Sequence, residues 1–371
     1  MAKLPLLCAA ALTARVAGFS STVSNVKPRV DASGAILDVH DGTTLRVGNT
    51  FYFYGASYGG CKEQPSGCSS LDVGACGFNL NHTVSLATSS DLVNWTLVPD
   101  VLAVAARPEG IMFSPWVAFS PTTQLYVMWY NMLPVENGHG VFDKAFYAIA
   151  TSASPLGPFQ TVKVNVTGLA FKELPDAASI FVDDDGKGYI AFTHEDSHVN
   201  NVQQLTPDLL GPLPGGNVSA VIGGPNNEGV LMFKRNSTYY VGFGQCCCFC
   251  KSGSNVELFA APAPLGPYAS LGNIILPEAW GAQTGTVFFT GGLQPPPTAA
   301  RAPTLSLSQC MHLPPPPFIS QALIMSYTET AGRARRTLSK PMIFLTWPRW
   351  CGARSGPSLA AGSLPKLRTV Q

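Results

Sequence analysis

Charged residues are scarce in this chain. Only 12% of its 371 residues are Asp, Glu, Lys or Arg, and the net charge is +1. That balance lacks the basic face that nucleic acid or an anionic membrane surface requires. No segment after the N-terminus is apolar enough to cross a bilayer, and no stretch sustains the 3.6-residue apolar period of a helix. The paired Cys-x-x-Cys spacing with His partners that a structural zinc site needs is absent, and His occurs only six times. What is abundant is Gly (36), Pro (31) and aromatic side chains (10%). That mixture suits a β-rich protein with many tight turns, in a chain long enough for a large core or a repeat architecture.

The N-terminus has the pattern of a secretory signal over residues 1–18. Lys3 precedes an apolar run from Leu4 to Ala14, and Val16, Ala17 and Gly18 offer a small-residue cleavage point. Five Asn-x-Ser/Thr sequons, at Asn81, Asn94, Asn165, Asn217 and Asn236, agree with export. A secreted or extracellular location is expected. In an oxidising compartment the clustered cysteines read as disulfides: Cys61, Cys68 and Cys76 in one segment, Cys246, Cys247, Cys248 and Cys250 in another. Their connectivity is left open.

Four segments share one layout of apolar strand, tight turn, aromatic-rich strand and a third unit closing in Trp or Gly-Pro. The first strands are Gly42–Val47, Trp116–Phe119, Ala178–Val182 and Val230–Phe233. The phrase Pro-Leu-Gly-Pro-aromatic occurs twice at equivalent places, Pro155–Phe159 and Pro264–Tyr268. Short strands joined by Asn and Asp-Gly turns, repeating at the size of a blade, predict an all-β propeller over residues 30–290. A fifth unit starts at Gln283 and does not finish, so the propeller is expected to be five-bladed with its last blade incomplete or aberrant. The Pro-rich tail, 291–371, carries nine Lys/Arg against one acid, Glu329. It is expected to be disordered, or the product of a misread gene.

Three carboxylates share one phase of the repeat. Asp41 directly precedes the first strand of blade one, and Asp176 and Glu228 stand two residues before those of blades three and four. First strands line a propeller's axis, so the three acids are expected to converge at one mouth of the funnel. Acids gathered in a cleft suit glycoside hydrolysis, which needs one carboxyl as acid and one as base. Taken singly, each is as well read as a turn residue capping a strand entry. The Asp183-Asp-Asp-Gly-Lys run is read as a hairpin turn, since it lacks the spacing of a calcium loop.

These pieces resemble glycoside hydrolase family 43, and most nearly its exo-β-1,3-galactanase-like branch. The matching residues are His40-Asp41-Gly42 before the hairpin ending Tyr54-Gly55, Ser90–Trp95, the two Pro-Leu-Gly-Pro phrases, Asp176 with Ile180–Lys187, and Asn227-Glu228-Gly229. The resemblance implies a five-bladed propeller that inverts at the anomeric carbon. It casts Asp41 as general base, Asp176 as the residue orienting the acid, and Glu228 as general acid, and Gln283 matches a glutamine of that branch's site. From the residues themselves, Trp116 is read as stacking on a sugar face or as core, and His40 as donating to Asp41 or a sugar hydroxyl or as a strand-end residue bonded to backbone. Asp38 competes with Asp41 for the role of base, and Gly42 replaces the family's usual Pro. Phe113–Val117 stands where the branch carries Glu-Arg-Pro-Lys-Val.

The expected substrate is a poly- or oligosaccharide of the plant or algal cell-wall type, such as arabinan, xylan or galactan side chains. No cofactor is implied; an axial calcium ion fits the architecture but no residue pattern indicates it. A monomer without nucleic-acid or membrane partners is expected. The competing reading is a non-catalytic carbohydrate-binding propeller, which would use the same funnel. Ser90–Trp95 loosely resembles a sialidase box but lacks the Gly before its aromatic.

Overall fold

Each inner hairpin turns on a residue that occupies the left-handed region. Gly48 (φ 59°), Gln124 (58°), Gly186 (81°) and Asn236 (54°) serve the first turns of four successive units. Strand pairs closed this way can then add strands outward, and they do so four times. The computed structural model describes residues 29–59, 73, 79–170, 175–194, 197–225, 227–245, 256–274, 282–289 and 342–348, the last two segments as backbone. The expected signal segment, all ten cysteines and most of the tail lie outside the described residues.

Blade one is β1 (Thr44–Val47), β2 (Thr50–Ala56), β3 (Val84–Ser89) and β4 (Thr96–Leu102), paired in that order. Blade two is β5 (Ile111–Ser120), β6 (Leu125–Leu133), β9 (Phe146–Ser152) and β10 (Gln160–Lys163), with a two-residue-per-strand hairpin, β7 (Val135–Glu136) and β8 (His139–Gly140), between its second and third strands. Blade three has β11 (Pro175–Val182), β12 (Gly188–His194) and β13 (Asn200–Gln204). Isolated bridges to Pro212, Val218 and Ile222 stand where a fourth strand would lie. Blade four is β14 (Asn227–Arg235), β15 (Thr238–Gln245), β16 (Glu257–Ala261) and β17 (Ala269–Asn273). All pairings within the blades are antiparallel.

The core lies between blades. Tyr54, Leu86, Met112, Met128, Tyr130 and Phe159 fill the seam of blades one and two. Trp129, Tyr147, Ile180, Phe192 and Leu209 fill the next, and Tyr189, Val230, Met232, Val241 and Phe243 the third. The two Pro-Leu-Gly-Pro phrases form equivalent turns between the third and fourth strands of blades two and four, each with a cis Gly-Pro bond. Ser90–Trp95 is likewise a turn, between β3 and β4. Asp91 Oδ1 accepts from the amides of Val93 (2.9 Å) and Asn94 (2.8 Å), and the Trp95 indole N–H donates to the Leu92 carbonyl (3.2 Å).

A fifth unit begins with β18 (Ala282–Phe289), which lies beside β14 on one side and β1 on the other. Its antiparallel partner is β19 (Met342–Pro348), drawn from the segment that the repeat pattern had set apart. Among the described residues, the ring thus runs from blade one to a two-stranded fifth unit and back. The architecture is an all-β, five-bladed propeller whose last blade is incomplete.

Candidate active site

The innermost strands share a defect. Their pairing registers slip by one residue at Phe113/Trp116 in blade two, Pro175/Ala178 in blade three, Glu228/Leu231 in blade four and Thr284/Thr286 in β18. A bulge of this kind ends regular pairing and re-aims the side chain at the slip. Asp176 and Glu228 both stand at these slips. Asp41 occupies the comparable place in blade one, between the His40–Ala56 bridge and β1, with φ 50°. In blade two that place belongs to Ser114, also at φ 50°. The phase seen in the sequence is therefore a recurring backbone irregularity, and three of its occurrences carry acids.

Blades three and four bring Asp176 and Glu228 together. Both are buried, at 9% and 5% exposure, and the backbone around each is clamped. The Asp176 carbonyl accepts from the Tyr147 hydroxyl (2.6 Å) and the Asn131 amide (3.2 Å), both of blade two. Asn227, just before Glu228, donates its backbone amide to the His198 carbonyl (2.9 Å) and its side-chain amide to the Gly224 carbonyl (2.9 Å). Gly229 follows at φ 69°, a conformation that costs glycine little.

His198, from the β12–β13 turn, completes this corner. Its Nε2 lies 3.9 Å from Glu228 Oε2, and one ligand-type atom from each of Asp176, His198 and Glu228 falls within 4.8 Å of the others. The backbone delivers the ring: the His198 amide donates to the His194 carbonyl (2.9 Å), and φ is +48°.

Asp41 heads a second cluster, on blade one. The Tyr58 hydroxyl donates to Asp41 Oδ2. The Tyr58 ring stacks on His40 (4.7 Å between centroids) and leans on His82 (4.9 Å). The two carboxylates read as candidate bases stand in different surroundings. Asp38 accepts the backbone amides of Tyr58 and Gly59 (both 2.8 Å) and lies 2.9 Å from His40 Nε2. Burial works to raise the Asp38 carboxyl, but His40 and these amides outweigh it and hold it below the usual carboxylate range. Asp38 thus ties down the loop after β2 and orients His40, leaving Asp41 with the tyrosine.

Beneath them lies Arg107. Its buried guanidinium donates to the carbonyls of His82 (2.7 and 2.9 Å), Leu80 (2.8 Å), Pro108 (3.0 Å) and Gly110 (3.0 Å). The His82 Nδ1 lies 3.0 Å from the Met112 carbonyl, and its Nε2 accepts the Asn79 amide (3.2 Å). Burial, aided by Arg107, pushes His82 below the ordinary histidine value. A neutral, fixed ring thus supports Tyr58.

Close approach explains Gly42, which stands where the family usually has Pro. A Cβ there would sit 1.8 Å from the Tyr54 carbonyl oxygen. The Trp116 indole donates to the Ile180 carbonyl (2.9 Å) and packs, half-buried, on the cluster between blades two and three. Gln283 lies on β18, opposite Trp347, just before the register slip; its side chain is outside the described residues. Tyr58, His82, Arg107 and His198 escape the sequence reading. Only Tyr58 leaves a signal, an aromatic placed just past the end of an aromatic-rich strand.

Comparison with known proteins agrees with the propeller fold. The family model for glycosyl hydrolases family 43 matches residues 36–291. An exo-β-1,3-galactanase from Clostridium thermocellum superposes with a TM-score of 0.58 at 24% identity, over 73% of this chain and 56% of its own. A family 43 β-1,3-galactosidase gives 0.58 at 21%, over 73% of this chain and 54% of that one. An exo-β-1,3-galactanase from Phanerochaete chrysosporium gives 0.54 at 20%, over 71% and 57%. This chain therefore spans little more than half the length of these proteins. No curated protein matches it closely enough to count as a relative. With the family model covering more than two thirds of the sequence, the chain belongs to the glycosyl hydrolases of family 43.

Proposed function

We propose that the protein is a secreted glycosidase that cleaves O-glycosidic bonds in cell-wall-type polysaccharides by an inverting mechanism. The observation that carries this is the buried pair Asp176–Glu228, set on two adjacent blades at matching bulges. Glu228 is the acid that gives its proton to the leaving oxygen, and Asp176 beside it orients that acid. Asp41, which accepts the Tyr58 hydroxyl, is the base that activates water on the far side of the sugar ring. An inverting site leaves about 6.5–9.5 Å between acid and base for that water.

We assign His40, which is held by Asp38 and stacked on Tyr58, to a sugar hydroxyl, and Gln283 to the same side of the funnel from blade five. Among arabinan, xylan and galactan, the solved neighbours' β-1,3-galactan activities favour a β-1,3-linked galactan. Export is supported by the N-terminal pattern and by the exposure of all five sequon asparagines.

The test is hydrolysis of arabinan, arabinoxylan, β-1,3-galactan and aryl glycosides by the purified protein and its Glu228→Gln variant, with circular dichroism on both. Turnover in the parent that falls at least about a thousandfold in the variant is expected, since the acid carries a proton-transfer step. Equal turnover in both would overturn the assignment of Glu228. Two folded proteins that bind saccharide without turnover would establish the carbohydrate-binding reading instead.

A further inference from the structure

We infer that Asp176, His198 and Glu228 form a binding site for a borderline-soft divalent cation of the zinc or copper kind, and that such an ion shuts the proposed acid corner. The site takes two carboxylates and one imidazole from three different stretches of chain: the β11 bulge, the β12–β13 turn and the β14 bulge. Their ligand-type atoms lie within 4.8 Å of one another, with His198 Nε2 and Glu228 Oε2 3.9 Å apart. Ligand atoms bound at about 2.0–2.2 Å in a tetrahedron stand roughly 3.3–3.6 Å from each other. Side-chain rotations that draw these atoms inward by about an ångström close the set, leaving the fourth position to water.

The donor chemistry selects the ion. An imidazole with two carboxylates suits zinc or copper, whereas calcium and magnesium ask for an all-oxygen shell of six or more ligands. His198 is held for this by its backbone and not by chance of rotamer. Its amide is bonded to His194, its carbonyl to Asn227, and its φ of +48° lies where Asn also sits comfortably.

The inhibition rests on the proposed role of Glu228, but the binding does not, so the two are tested apart. Zinc sulfate, magnesium chloride and calcium chloride are titrated calorimetrically into the tag-free full chain, its His198→Asn variant and its Glu228→Gln variant. Asn preserves the left-handed backbone and removes the imidazole, and circular dichroism confirms the fold of each. One zinc ion is expected to bind the parent and raise its Tm, with affinity lowered at least about tenfold in either variant. Magnesium and calcium should bind far more weakly. Zinc affinity equal in parent and His198→Asn, or magnesium matching zinc, would overturn the site. Where the parent hydrolyses an aryl glycoside, zinc should inhibit it with a midpoint that rises at least about tenfold in His198→Asn. Binding without inhibition would leave the metal site standing and sink the role of Glu228.

Discussion

Removing the Arg107 guanidinium should cost more than any other single change on blade one's side of the site. Arg107→Ala leaves the carbonyls of Leu80, His82, Pro108 and Gly110 without the cation that gathers them. A hydrogen bond to a charged donor is worth about 1.5–3 kcal/mol, but bonds sharing one guanidinium do not add, and water entering the hole recovers part. A net loss of about 3–5 kcal/mol follows, which for a domain of this size lowers Tm by about 10 °C. Arg107→Lys should recover less than half, because one ammonium cannot reproduce the fork. Differential scanning calorimetry of the three proteins at one pH and salt decides the matter. A fall of less than about 3 °C in Arg107→Ala, equivalent to about 1 kcal/mol, would refute the reasoning. So would full rescue by Lys.

Other changes separate positioning from packing. Tyr58→Phe removes the donor to Asp41 but keeps the ring between His40 and His82; Tm should move little while kcat falls about 10–100-fold. An unchanged kcat would detach Tyr58 from the base. Asp38 has a folded-state pKa below its unfolded one, so its contribution to stability is present above the usual carboxylate range and lost as pH falls through the lowered value. Asp38→Asn should therefore destabilise clearly at pH 6 and converge with the parent as pH falls below the usual carboxylate range in paired thermal melts; a constant gap would contradict this. Trp116→Phe should cost about 1 kcal/mol through the lost bond to Ile180 and leave KM for saccharide within about twofold. A tenfold rise in KM would put the indole on the sugar.

Much of this architecture is legible in the residues. Period-two strands, turns such as Asp184–Lys187 and Arg235–Ser237, and the doubled Pro-Leu-Gly-Pro phrase locate three strands in each of three blades and two in a fourth; the outermost strands β4, β10 and β17 were not located. Blade three departs from the pattern, because its outer edge is built from bridges to Pro212, Val218 and Ile222 and carries no strand signature. The acids were legible as a phase. Their bulges were not: a one-residue slip shifts the phase of alternation, but inner strands such as Ile111–Ser120 and Asn227–Arg235 are apolar on both faces over much of their length, so the shift does not show. The partner of β18 was illegible as well: Met342–Pro348 is an apolar run more than fifty residues downstream, and loop closure over that distance leaves no local signal.

The sequence by itself determined that strands form, that they repeat as blades, and that Asp41, Asp176 and Glu228 recur at the head of the inner strands. Local propensity and turn chemistry act between neighbours in the chain, so they are written in it. The tertiary structure alone decided which acid stands beside which. It sets Glu228 against Asp176 and His198, gives Asp41 to Tyr58, and commits Asp38 to backbone amides. It also buries Arg107 beneath His82 and spends the Trp116 indole on a neighbouring blade. Each of these depends on contacts between segments far apart in sequence, where the geometry of blades packed side by side, and not the order of residues, fixes which groups meet.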